Sequence, residues 1–274
     1  MIELNSVSQL DAITFLEQIY EDSGNESMDM FLVDLPYTFK GKQRVTANKW
    51  DLPIDMDRFF ELTSRMLTKQ GALVLTATNP FAAYLINKSM EVQEKFKDDK
   101  LVQIVEYKND WIWEKDNGSN FVHVKHQPFK VHEQVLIFGK APTTYNKKDF
   151  YMTYNPQFTY SKPYTMKRDM SNVINLEGFK GRTDTENLDG RRYPRSVQKI
   201  NLERGLHPTQ KPTKLFDLLI NTYTNKGDIV VDCCAGSGTT AISSINTERN
   251  YMINDIEEKY YNIINERISK TLAN

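Results

Sequence analysis

Cysteine is nearly missing from this chain: its 274 residues include two, Cys233 and Cys234, side by side. Sequence neighbours are poorly placed to bridge each other, so no disulfide framework is expected. With no other cysteine and no H-x-x-x-H pair, no metal site is assigned. Long apolar runs are missing too. None approaches the roughly 18–20 residues that span a bilayer, so no membrane partner is expected. Met1-Ile2-Glu3-Leu4-Asn5 has neither a basic n-region nor an apolar h-region; no signal peptide is read, and the expected compartment is the cytoplasm. No charge dominates. A net charge of −1 neither favours nor disfavours nucleic acid. Repeats and low-complexity tracts are absent. What remains, 39% apolar and 26% charged residues, is the balance of a globular chain with one large domain or two modest ones.

The apolar pattern predicts alternating helices and strands. A helix is expected over 8–20, capped by Ser8, and a buried strand over Met30-Phe31-Leu32-Val33. Residues 38–52 read as a loop with few apolar residues, either a lid or a solvated surface. Pro53 is expected to open a helix that stops at Gly71, followed by a strand over 72–76 and a helix from Pro80 to about Lys95. Residues 101–113 are β-rich, with Trp111 and Trp113 expected to pack in the sheet, and 132–139 is a buried strand. His123, His126 and His132 are read as structural or near the cleft edge. After His207 come a helix from Pro212, a strand over 229–232, a glycine loop, a helix over 239–247, a strand over 251–255 and a helix over 256–270. Together these predict an α/β fold with a mostly parallel sheet and a β-rich edge.

Between Lys140 and Gly205 the composition shifts. This segment holds 13 basic and 7 acidic residues, which leaves 22 basic against 29 acidic elsewhere. Its lysines and arginines are interleaved with tyrosine and phenylalanine, and Arg182, Arg191, Arg192 and Arg195 follow. Such asymmetry fits a nucleic-acid face, or an irregular surface insertion.

Two constellations carry chemistry. Asp34-Leu35-Pro36-Tyr37 follows a strand, where α/β sheets hold ligands. The acid can accept hydrogen bonds from an amino group, the proline supplies a carbonyl with no N–H of its own, and the ring offers a flat face. By themselves these four residues also read as an ordinary turn. The second runs from Asp232 through Gly236-Ser237-Gly238-Thr239-Thr240, with Asp255 placed 23 residues after Asp232. Glycines let backbone approach a ligand closely, and an acid at the next strand tip can accept from ribose hydroxyls. A nucleoside-containing cofactor follows. No lysine follows Gly238, so a phosphate P-loop is excluded, while the near match to G-x-G-x-x-G/A keeps a nicotinamide dinucleotide open.

These two motifs, with His207-Pro208-Thr209-Gln210-Lys211-Pro212 between them, resemble the DNA amino-methyltransferases that act on adenine N6 or cytosine N4, in the β arrangement. The resemblance covers roughly 1–139 and 206–274. It implies a doubly wound, Rossmann-like methyltransferase fold with a catalytic half at 1–139, a target-recognition insertion at 140–205 and an S-adenosylmethionine-binding half at 206–274. It implies that Asp34 and the Pro36 carbonyl hold the target amino group and that Tyr37 stacks on an extruded base. Asp34, His207, Thr209, Lys211, Asp232, Ala235, Gly236, Ser237, Gly238, Thr239 and Asp255 would contact S-adenosylmethionine. Double-stranded DNA is the implied substrate, with Arg182, Arg191, Arg192 and Arg195 as candidate contacts. A homodimer and a restriction endonuclease partner are family expectations. Aspartate at position 34 favours adenine by family tendency; cytosine N4, or an RNA or protein substrate, is the alternative. One position departs from the family pattern: Leu35 stands where proline is expected.

Overall fold

The computed structural model describes residues 3–38, 53–99, 102–118, 120–144, 150–166 and 185–273. The loop at 38–52, apart from Thr38, and Arg182 lie outside these. The chain divides into two compact units, Met1–Asn155 with Ser196–Asn274, and Pro156–Arg195.

The larger unit begins with β1 (Ser6–Ser8), α1 (Ala12–Ser23) and β2 (Met28–Val33). Ser8 does not cap the first helix. It pairs with Asn254 in the sheet, and Asp11 caps α1 by accepting from the Ile13 and Thr14 amides. α2 (Met56–Met66) is capped by Asp55 and ends earlier than expected, because Leu67 already pairs with Met28 in β3 (Leu67–Ala77). Gly71 is therefore inside a strand, where a Cβ would stand 2.6 Å from the Asp29 carbonyl oxygen. α3 (Phe81–Phe96), β4 (Glu106–Glu114) and β5 (His132–Gly139) follow.

The smaller unit contains β6 (Thr159–Tyr160), β7 (Tyr164–Met166), β8 (Thr185–Asn187) and β9 (Arg191–Arg192), paired antiparallel as β6 with β9 and β7 with β8. The Arg191 guanidinium lies 5.0 Å from the Phe158 ring centre, and that of Arg192 lies 4.6 Å from the Tyr164 ring centre. Arg192 also donates to the Lys162 carbonyl and to Asn187 Oδ1, so it ties this unit together.

The larger unit resumes with β10 (Val197–Lys199), α4 (Thr213–Tyr223), β11 (Ile229–Asp232), α5 (Thr239–Asn246), β12 (Asn250–Asn254) and α6 (Glu258–Leu272). Its eight strands run in the order β1-β12-β11-β2-β3-β5-β4-β10, and only the two pairings of β5 are antiparallel. β2 is buried on both faces. Phe31 and Val33 join the helical layer of α1–α3, and Met30 and Leu32 pack with Leu215, Phe216 and Leu219 of α4. Helices on both sides of a mostly parallel sheet make a doubly wound α/β fold. Trp111 and Trp113 are buried, and their indole N–H groups donate to the Tyr223 hydroxyl and the Ile200 carbonyl. Among the described residues no helix is long and apolar enough to cross a membrane.

Candidate active site

β2 and β11 are adjacent and parallel, but the chain leaves them in opposite directions, toward β3 and toward β12. This is the switch point of the sheet, where a crevice opens beyond the strand ends. A solvent-open cleft of about 1270 Å³ lies there. Asp34 follows β2, Asp232 ends β11 and Asp255 follows β12, so all three acids reach its wall.

Asp34 is held on every side. The Lys211 ammonium lies 2.5 Å from Oδ2, while Thr76 and Tyr37 donate their hydroxyls to Oδ1. A carboxylate has about four acceptor positions, so among the described residues one remains, on Oδ2. The Pro36 carbonyl accepts from the Thr38 amide at 2.8 Å and retains its second lone pair. Tyr37 stacks on Phe81 with ring centres 5.3 Å apart, and its hydroxyl also meets Glu133 at 3.4 Å. Leu35 is 2% exposed in the core layer beneath, which accounts for an apolar residue at that position.

Glu133, Lys115, Thr76 and Phe81 were not singled out from the sequence. Glu133 is the most consequential. It enters the site because β5 runs antiparallel, so its amino end lies where the other strands finish. Lys115 is in ion-pair contact with it, and Lys211 Nζ is 3.5 Å from its other oxygen. Burial pushes the Glu133 carboxyl up, but Lys211 and Lys115 outweigh that and hold it below the usual carboxylate range. Burial likewise opposes the charge on Lys211, and Asp34 and Glu133 reverse the effect and raise it. Tyr37 is raised well above the usual phenol range by burial and then by the two carboxylates, so it remains a neutral donor. No local pattern in the sequence marks these four residues.

The glycine loop is fixed from behind. Asp232 accepts from the Thr240 hydroxyl at 2.5 Å and the Cys234 amide at 3.0 Å, and burial pushes its carboxyl up to about 7. Asp255 accepts from the Gly236 amide at 2.8 Å and the Glu257 amide at 3.0 Å, and burial raises it as well. Gly236 has φ +54°, and a Cβ there would sit 3.7 Å from the His207 ring. Gly238 caps α5 with φ +79°, and a Cβ there would be 2.8 Å from Ile264. Its lack of a side chain lets α6 pack closely, and it does not line the cleft. The Thr239 hydroxyl donates to the Lys211 carbonyl and joins this loop to the 207–212 segment. The His207 ring lies 4.4 Å from that of Tyr260, Thr209 donates its amide to His207 Nδ1, and burial lowers the His207 pKa. Ser237 is buried and its carbonyl accepts from Arg267. Thus Asp34, His207, Thr209, Lys211, Asp232, Ala235, Gly236, Ser237, Thr239 and Asp255 share one cleft. Arg191, Arg192 and Arg195 belong to the smaller unit. No cluster of metal-ligating side chains occurs among the described residues.

The model of the DNA methylase family matches residues 28–266. This chain belongs to that family, the N6-adenine and N4-cytosine DNA methyltransferases. Its methyl donor is S-adenosylmethionine. The chain is 26% identical to the type II methyltransferase M1.MboII of Moraxella bovis, over 97% of this chain and 96% of that protein. It is 24% identical to the DNA adenine methyltransferase YhdJ of Escherichia coli, over 94% and 80%. The M1.HpyAVI–SAM complex superposes with a TM-score of 0.60 at 19% identity, covering 96% of this chain and 98% of that one. The cytosine-N4-specific PvuII methyltransferase gives 0.58 at 14% identity, covering 100% and 93%. At these identities the structures share the fold. The cleft suits the donor on its own terms: apolar Leu10, Ile256 and Phe216 line it together with the carboxylates, and the wall at Gly236 has no side chain.

Proposed function

We propose that this protein methylates adenine N6 in double-stranded DNA, acting on a base taken out of the stack. The observation that carries this reading is that, among the described residues, Asp34 keeps an unused acceptor position and the Pro36 carbonyl a second lone pair, and that both residues line the cleft. An exocyclic amino nitrogen is a poor nucleophile, because its lone pair is delocalised into the ring. Two acceptors that hold its hydrogens favour pyramidalisation and turn the lone pair outward. Positioning of this kind supplies much of the rate in bimolecular transfers. Tyr37 offers its ring to the base, and such stacking returns about 1–3 kcal/mol against the cost of extrusion. Lys211 and Glu133 hold the Asp34 carboxylate in a single orientation.

S-adenosylmethionine, when bound, supplies an electrophilic methyl group on sulfonium. Gly236 and Ala235 would let the backbone approach its methionine part, with Asp232 supporting that end. Asp255 would face the ribose, and His207, Thr209 and Lys211 would close the pocket. The segment 140–205, which contains the smaller unit, would read the target sequence. Adenine is preferred over cytosine because position 34 is aspartate, and because a relative matched over 94% of this chain is named a DNA adenine methyltransferase. Mass spectrometry of nucleosides from DNA treated with the protein decides it: N6-methyladenine is expected, and N4-methylcytosine supports the alternative.

A further inference from the structure

β4 ends at Glu114 and β5 begins at His132, one residue before the buried Glu133 of the site. The excursion between them therefore rises from the same edge of the sheet as the cleft. Its stem is closed by the Lys115 amide donating to the Val131 carbonyl, and Lys115, Asn117 and Gly118 line a second cavity that shares Glu133, His207 and Lys211 with the first. The loop is built rather than loose. Asn120 donates to the Pro128 carbonyl at 3.0 Å and accepts from the Lys130 amide at 2.7 Å, and the His123 carbonyl accepts from the His126 and Gln127 amides.

This braced tip presents apolar side chains to water. Phe121 is 76% exposed and Val122 is 81% exposed, in a short 3-10 turn over Phe121–His123. Every residue from Phe121 to Phe129 is exposed. The sequence between Asp116 and Glu133 contains no acid, while Lys125, Lys130, His123, His126 and His132 fall within it. An acid-free apolar tip beside a base-modifying cleft matches DNA, whose phosphates are anionic and whose base steps accept apolar side chains. A second copy of this chain would set two such acid-free tips against each other.

We propose that Phe121 and Val122 form a wedge that enters the base stack of double-stranded DNA beside the extruded base, with Lys125 and Lys130 on adjacent phosphates. This rests on the reading that the protein acts on a base drawn out of a duplex. Filling the gap stabilises the opened duplex, so the wedge matters most when the target base is firmly paired.

The test compares the full chain with the double variant Phe121→Ser/Val122→Ser on two duplexes that carry the site found by sequencing methylated DNA. In one the target base is paired; in the other the opposite nucleobase is removed. Transfer of tritiated methyl, calorimetric S-adenosylmethionine binding and sedimentation are measured. On the paired duplex the variant is expected to lose about tenfold in kcat/KM, as loss of one stacking contact implies. On the second duplex the deficit shrinks to about twofold, because opening is already favourable there. Cofactor affinity is unchanged. An equal deficit on both duplexes, no deficit on either, or a shift of a wild-type dimer to monomer overturns the wedge. If the wild type transfers methyl to no DNA, the underlying reading fails and the wedge fails with it.

Discussion

The Lys211 ammonium is 2.5 Å from the Asp34 carboxylate, although the two residues lie 177 positions apart in the chain. Lys211 is 6% exposed and Asp34 23%, so the cation is buried and the acid keeps one face toward the cleft. A lysine one residue before the proline that precedes α4 thereby fixes the acid at the tip of β2. Glu133 shares the ammonium, and a buried cation stands between two partly buried anions.

Removing that cation leaves Asp34 to its hydroxyl donors, Thr76 and Tyr37, and leaves Glu133 to Lys115. Lys211→Met is expected to lower unfolding stability by roughly 3–5 kcal/mol, the usual cost of breaking a buried pair. Adding Asp34→Asn removes the stranded charge and recovers part of the loss. Urea denaturation of the two variants checks both statements.

Glu133→Gln alone keeps the volume but weakens the hold on Lys115, Lys211 and the Tyr37 hydroxyl. Misplacing a reacting group by about 1 Å can cost on the order of 100-fold in rate. The expected outcome is a fall in kcat of about 10- to 100-fold, with S-adenosylmethionine affinity nearly unchanged. Steady-state kinetics beside calorimetry separates the two. A change confined to KM would remove Glu133 from the positioning role.

Asp232 gives a pH signature. Burial raises its carboxyl from the ordinary 3.8 to about 7, so the folded chain binds this proton more tightly than the unfolded chain. The stability that this proton contributes is full below about 4 and is lost as pH rises through about 7. Melting temperature should therefore fall with rising pH more steeply for the wild type than for Asp232→Asn. Glu133 has a lowered pKa and acts with opposite sign at lower pH, which is why the comparison is made against the variant.

The two glycines of the loop should fail differently. Gly238→Ala places Cβ 2.8 Å from Ile264 at φ +79°, so left-handed strain and overpacking add, and the expected loss of stability is about 2–5 kcal/mol. Gly236→Ala meets nothing closer than 3.7 Å. Its cost in stability is limited to left-handed strain, about 1–2 kcal/mol, but its methyl group sits on the wall of the cleft proposed to hold the donor. Thermal melts should therefore single out Gly238→Ala, and calorimetric S-adenosylmethionine titration should single out Gly236→Ala.

The sheet and its acids were legible because each signal is local. Met30–Val33 into Asp34 and Ile229–Val231 into Asp232 are apolar runs that end in a carboxylate. The first strand was missed because Ser6 and Ser8 are polar, and a sheet edge needs no apolar run. The end of α2 was misplaced because Gly71 resembles a helix stop, whereas its lack of a side chain serves the close approach of Asp29. Thr76, Phe81, Lys115 and Glu133 were invisible for another reason. Thr76 and Glu133 meet Asp34 and Tyr37 across 42 and 96 residues of sequence, distances that no local pattern encodes. Leu35 looked like a defect in the motif until its side chain was found in the core.

The central claim is that Asp34 holds the reacting amino group, and transfer of tritiated methyl from S-adenosylmethionine to DNA by Asp34→Ala tests it most directly. The account requires loss of transfer by about 100-fold or more, with a folded protein that still binds S-adenosylmethionine by calorimetry. Transfer at the wild-type rate would contradict it.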